Sequence, residues 1–157
     1  MKITVDDWIF EIDPVKTREH SEFAVRSHCT CGYCENYYRA VDLVYPNLRA
    51  FLDRFFVEIE GPSEMYPFEP TQCLLAYKVC GQIRKAGIGP VMVDGVPVMG
   101  EVLDGETFKL EVGELELPWV LDEDPEEVLS PANEPEFLER MYRKLIQRNG
   151  GNLLFPS

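Results

Sequence analysis

Hydrophobic and polar positions alternate at the start of the chain, where Trp8, Phe10 and Ile12 interleave with Ile9, Glu11 and Asp13. A period of two predicts a strand with one apolar face, and Pro14 ends it because proline cannot continue a ladder. A second strand is expected over residues 22–25, leading into the cysteine-rich run that follows. Residues 35–43 then read as a short helix, stopped before Pro46. Leu48, Phe51, Leu52 and Phe55 recur at i, i+3, i+4 and i+7, the signature of a second helix with one face turned inward. A return to strand is expected over 56–60, closed by Gly61-Pro62, with a proline-rich loop over 64–70. The compact apolar run 74–79 has flanks that do not settle helix against strand, and a helix from about 71 to 81 is the expectation taken.

Further on the pattern is β. Val91, Val93, Val96 and Val98 fall on one face if Asp94-Gly95 forms a type I′ turn, because both residues tolerate positive φ. Pro97 then needs an edge or a position without a ladder bond. Asp104-Gly105 predicts a second hairpin over 101–112, with Glu101 set opposite Phe108. Phe108, Leu110 and Val112 occupy even positions, whereas Leu115, Leu117, Trp119 and Leu121 occupy odd ones. The phase change at Gly113-Glu114 demands a bulge or a tight Gly-X turn. An acidic, proline-containing connection over 125–135 precedes a final helix over 134–148, with Phe137, Leu138, Met141, Tyr142 and Leu145 as its stripe and Asn149-Gly150-Gly151 as its end. These elements predict a single α+β domain over 1–157: an antiparallel meander or small barrel, two helices after the cysteine run, and a C-terminal helix.

Composition supports a folded core: of 157 residues, 45% are hydrophobic and 11% aromatic. No apolar stretch approaches the roughly 20 residues of a membrane helix. Asp6 and Asp7 stand where a signal peptide has its apolar centre, so a soluble cytoplasmic chain is expected. The net charge of −13 disfavours nucleic acid and anionic lipid as partners. Fourteen acids and one base, Lys109, lie between residues 101 and 139. This stretch reads as a solvated face, with docking of a basic protein, as in an immunity or inhibitor protein, as the alternative.

Chemistry concentrates in His28-Cys29-Thr30-Cys31-Gly32-Tyr33-Cys34. Thiolates bind soft ions, and the two-residue gap between Cys31 and Cys34 lets one turn aim both at the same ion. Cys29 adds a third ligand. Zinc is the ion such a set suits, with a fourth ligand from His20, His28, Cys73 or Cys80. His28 is the weaker choice, since adjacent side chains seldom converge. The same atoms suit thiol exchange, because Cys34 opens a predicted helix, although no preceding βαβ strand accompanies it. The third reading is that these are small buried hydrophobes around a turn. Five cysteines cannot all pair with one another, which fits reduced thiols. The carboxylates Glu58, Glu60, Glu64 and Glu69 around the Gly61-Pro62 turn offer acid–base chemistry but read first as a solvated loop. The acids from Asp122 to Glu127, which offer oxygens to a divalent cation, lack the glycine and the spacing of an EF-hand loop.

The run Cys29-x-Cys31-x-x-Cys34-x-Asn36, followed by Tyr37 and Tyr38, resembles a motif of small uncharacterised bacterial proteins. The likeness extends from Trp8 to about Pro67. It implies a small bacterial cytoplasmic domain in which Cys29, Cys31, Cys34 and Asn36 act together, with Asn36 capping the turn or hydrogen-bonding a thiolate. The leading expectation is a non-enzymatic binding protein with a cysteine knuckle.

Overall fold

The computed structural model describes residues 1–27, 29–69 and 71–122. Within it, Met1–Val120 form one compact unit. The 125–135 connection and the 134–148 helix lie outside the described residues.

The fold is α+β, with three helices and seven antiparallel strands among the described residues. Strands β1 (Lys2–Val5) and β2 (Trp8–Ile12) form a hairpin, and β1 has no counterpart in the expected elements. Helices α1 (Pro14–Arg26), α2 (Gly32–Val44) and α3 (Leu48–Asp53) follow. Then come β3 (Glu64–Glu69), β4 (Gln72–Lys85), β5 (Val91–Val93), β6 (Val96–Val102) and β7 (Thr107–Glu116). The sheet order is β1-β2-β4-β7-β6-β5, with β3 also on β4. The run from β4 to β7 is a Greek key, since the three hairpin-connected strands β5, β6 and β7 bring the last of them beside β4. Among the described residues the sheet does not close into a barrel. It curls enough that a Cβ on Gly100 of β6 would lie 3.1 Å from the Phe10 ring of β2.

The expected helix over 71–81 is instead the central strand. Its apolar run is buried on both faces: Cys73, Leu75, Tyr77 and Val79 in the main core, Leu74 and Ala76 on the opposite side. A strand covered on both faces loses the alternation by which strands are recognised. The 64–70 loop is likewise β3, an edge strand that tolerates Pro67 beside a register shift.

The strand expected over 22–25 lies in α1. Asp13 caps this helix by accepting from the Lys16 amide at 3.0 Å, and Pro14 fits the first turn, where no amide is needed. Its inner face carries no apolar stripe, because its buried residues are Thr17 and Ser21. These hydroxyls complete neighbouring main chain. Thr17 Oγ1 accepts from the Cys80 amide at 3.1 Å and donates to the Asp13 carbonyl at 2.7 Å. Ser21 Oγ accepts from the Glu58 amide at 2.7 Å. The expected strand over 56–60 is a turn, with Phe56 at φ 63° and the Ile59 carbonyl taken by tyrosine hydroxyls.

The hairpin over 91–98 has the expected register, Val91 opposite Val98 and Val93 opposite Val96, with Asp94 and Gly95 at φ 51° and 80°. The second hairpin differs by one residue: Glu101 faces Lys109, not Phe108. Asp104 Oδ1 accepts from the amides of both Glu106 and Thr107 at 2.8 Å, which lengthens the loop. The phase change at Gly113 is a bulge, with Leu115 opposite Cys73 and Val112 opposite Leu75. Gly113 has φ +143°, and a Cβ there would lie 2.9 Å from Leu74 Cδ1. Along β7, Lys109 and Glu111 take the half-buried positions between buried Phe108, Leu110 and Val112, and exposed Glu114 and Glu116 flank buried Leu115.

Helices α2 and α3 cover the main core with Tyr37, Ala40, Val41, Leu48 and Leu52, joined by Phe55 from the turn after α3. Phe10 is their counterpart in the sheet, its ring 5.0 Å from Phe55 edge-on and 5.3 Å from Phe108.

Thr17→Val keeps the side-chain shape and removes the hydroxyl, leaving the Cys80 amide unsatisfied. It is expected to cost about 1–3 kcal/mol, read as a lower urea midpoint at unchanged slope. Val15→Thr, at an exposed site on the same helix, should stay within about 0.5 kcal/mol. Equal loss in both variants would show that the Thr17 hydroxyl is not what holds α1 to β4.

Candidate metal centre

The cysteine run is placed by the start of α2. Cys31 is the N-cap residue, in extended conformation with φ −65° and ψ 162°, and Gly32 and Tyr33 open the first turn. Cys34 stands at the third helical position, so its side chain lies back over the cap. The Cys31 amide donates to Cys29 Sγ at 3.4 Å, folding the preceding loop toward the helix end. The three Sγ atoms all lie within 4.8 Å of one another and form a group that can hold a metal ion. They step from exposed Cys29 through half-buried Cys31 to buried Cys34.

The thiols are electrostatically unlike. Cys31 is pulled down to about 5, first by the hydrogen bond from the Cys34 side chain and then, against its desolvation, by the amides at the helix start. Cys34 is pushed far up, because its proton is held by Cys31 and because it is buried beside negative sulfur. The two share one proton, with Cys31 as the anionic partner, as helix N-termini favour. Tyr38 is also raised, mainly by burial and then by the neighbouring thiols, with Cys34 first.

His20, Cys73 and Cys80 do not belong to this group. His20 is exposed on α1, while Cys73 is in the core opposite Leu115, its thiol pushed up to about 12 by burial. Cys80 is held through its main chain by Thr17, and burial raises its thiol too. His28 lies outside the described residues. All five cysteines are free thiols.

Asn36 does something the motif does not announce. It is 1% exposed, and instead of bonding a thiolate it clamps the chain leaving β7. Its Nδ2 donates to the Pro118 carbonyl at 3.1 Å, and its Oδ1 accepts from the Val120 amide at 2.7 Å. Between them, the Trp119 ring meets Tyr33 edge-on with centroids 6.3 Å apart. At the other end of α2, the Tyr45 hydroxyl donates to the Glu116 carbonyl and accepts from its amide, at 3.0 and 2.9 Å. The helix carrying the cysteines is thus laid along residues 116–120. No spacing in the sequence links residue 36 to residue 119.

Tyr37 anchors the same helix to the sheet. Its hydroxyl is 2.7 Å from that of Tyr77 and 2.8 Å from the Ile59 carbonyl, and burial raises both phenols. A crevice beside this anchor is lined by Tyr33, Asn36, Met65, Gln72, Cys73 and Leu117. Among the carboxylates weighed for acid–base work, Glu60 is engaged by Arg49, whose Nη1 lies 3.0 Å from Glu60 Oε2 and whose Nη2 lies 2.8 Å from Asp42.

No protein-family model matches the chain, and no curated protein or solved structure is significantly similar to it.

In reduced, metal-free protein, alkylation of Cys31 by iodoacetamide should follow its thiolate. The rate should climb from acid pH to a plateau with a midpoint near 5, while Cys73, pushed to about 12, stays unlabelled at neutral pH. A Cys31 midpoint near the ordinary value of about 8.5 would contradict the arrangement. Separately, Asn36→Ala is expected to cost about 1–3 kcal/mol and to speed amide exchange at Val120. Unchanged exchange there would show that the clamp holds nothing.

Proposed function

We propose that this chain is a non-enzymatic metal-binding protein that holds one thiophilic ion, zinc first, on Cys29, Cys31 and Cys34. The observation that carries this reading is the convergence of three Sγ atoms within 4.8 Å at one helix start. Tetrahedral zinc with bonds of about 2.3 Å places its sulfurs about 3.8 Å apart, a spacing that small side-chain rotations supply. Soft thiolate donors favour zinc and copper(I) over hard cations. A reducing cytoplasm suits five unpaired thiols. Protein purified without added metal should carry close to one equivalent of zinc, lost in Cys34→Ser and weakened in Cys29→Ser. Less than about a tenth of an equivalent of zinc or iron, with all five thiols titrating freely, would sink the reading.

A second reading, thiol–disulfide exchange, is favoured by the placement of half-buried Cys31 at the helix cap above buried Cys34. It expects a reversible Cys31–Cys34 disulfide under mild oxidant that Cys31→Ser abolishes. A protein that keeps all its thiols under those conditions is not an exchange protein.

A further inference from the structure

We infer that the metal centre is open: the protein supplies three thiolates, and the fourth coordination position takes an exchangeable soft ligand from solution, of the class of low-molecular-weight thiols. This rests on the metal-binding reading above and goes beyond a closed structural knuckle.

The first argument is an inventory. The chain has five cysteines and two histidines, and residues 123–157 contain neither type. Among the described residues, the ligand group contains Cys29, Cys31 and Cys34 and no other Cys, His, Asp or Glu. Cys73 is committed to the core opposite Leu115, and the main chain of Cys80 is tied to Thr17, so neither reaches the helix start without breaking β4. Structural zinc sites are closed by four protein ligands, whereas sites with three keep a position for solvent or substrate.

The second argument is placement. The sulfurs run from buried Cys34 to exposed Cys29, so an ion seated on them lies at the surface with its remaining side toward solvent. An ion selected by three thiolates prefers another soft donor to water. The exchange balances without redox chemistry: one metal–water bond breaks, one metal–sulfur bond forms, and the thiol proton passes to solvent. A thiol so bound is held as thiolate at neutral pH.

The test uses the full chain loaded with cobalt(II) as a visible stand-in for zinc, titrated with 2-mercaptoethanol, beside the His28→Ala variant. Sulfur-to-cobalt absorption should grow by about one third in both proteins as three sulfur ligands become four, and Trp119 fluorescence should change with loading. Wild type that ignores the thiol while His28→Ala responds would show that His28 closes the site, overturning the inference. Indifference of both proteins overturns it equally, as does bleaching of the absorption as the thiol strips the ion. Each of these outcomes leaves the metal reading standing. Failure of the reduced protein to bind cobalt at all removes that reading and the open site with it.

Discussion

A strand of fourteen residues has to satisfy the amides and carbonyls along both of its edges, and β4 does so with an unusually mixed set of partners. One edge is covered by β7 from Gln72 to Cys80. The other is shared by β3 over its first half and β2 over its last residues, which leaves a gap between them. Ser63 and α1 fill that gap. The Ser63 amide donates to the Ala76 carbonyl at 2.7 Å and its hydroxyl accepts from the Lys78 amide at 2.8 Å. Thr17 accepts from the Cys80 amide, and the Asp13 amide donates to the Cys80 carbonyl at 2.9 Å. An unsatisfied buried amide costs about 1–3 kcal/mol, so this edge fixes α1 and the turn before β3 more firmly than apolar contact would.

The cysteine helix is positioned from the same strand. Tyr77, near the middle of β4, meets the Tyr37 hydroxyl, and both phenols face the Ile59 carbonyl. That contact sets the height and rotation of α2 over the sheet. Tyr33, Asn36, Tyr37, Ala40 and Val41 then fall inward at helical spacing, and the thiols gather at the helix start, stepping from buried Cys34 out to exposed Cys29. The motif therefore divides its labour: three cysteines converge at the helix start, Tyr37 docks the helix on β4, and Asn36 with Tyr33 docks the chain leaving β7.

What was legible in the sequence was whatever repeats with a clean period or carries its own turn chemistry. The strand at Trp8, Phe10 and Ile12, the helices after the cysteines, the Asp94-Gly95 hairpin and the change of phase at Gly113 all belong to this class. The α+β class followed from them. The misreadings have a common physical cause, because each element concerned gets its order from long-range partners. The main chain of β4 is paired on both sides and its side chains are buried on both faces, so its pattern carries no period. α1 turns hydroxyls inward because its neighbour is a bare strand edge, and no apolar stripe marks it. β3 exists only because Gln72 to Ala76 accept it as an edge strand, Pro67 included. At the site, nearness in sequence found the three converging cysteines, but the clamp between Asn36 and Val120 spans too much chain for any local signal.

The same constraint bears on which residues join the three-cysteine group. The six residues from Cys29 to Cys34 bring three sulfurs together through a loop and one helical turn, with little demand on the rest of the fold. A fourth sulfur would have to come from β4, the element least able to yield it. Cys73 faces the core in a stretch paired on both edges, and Cys80 is joined by main-chain bonds to Asp13 and Thr17. Drawing either toward α2 would break the ladder on which the sheet, α1 and the docking of α2 itself rely. The strand that holds the cysteine helix in place thus keeps its own cysteines out of the three-sulfur group.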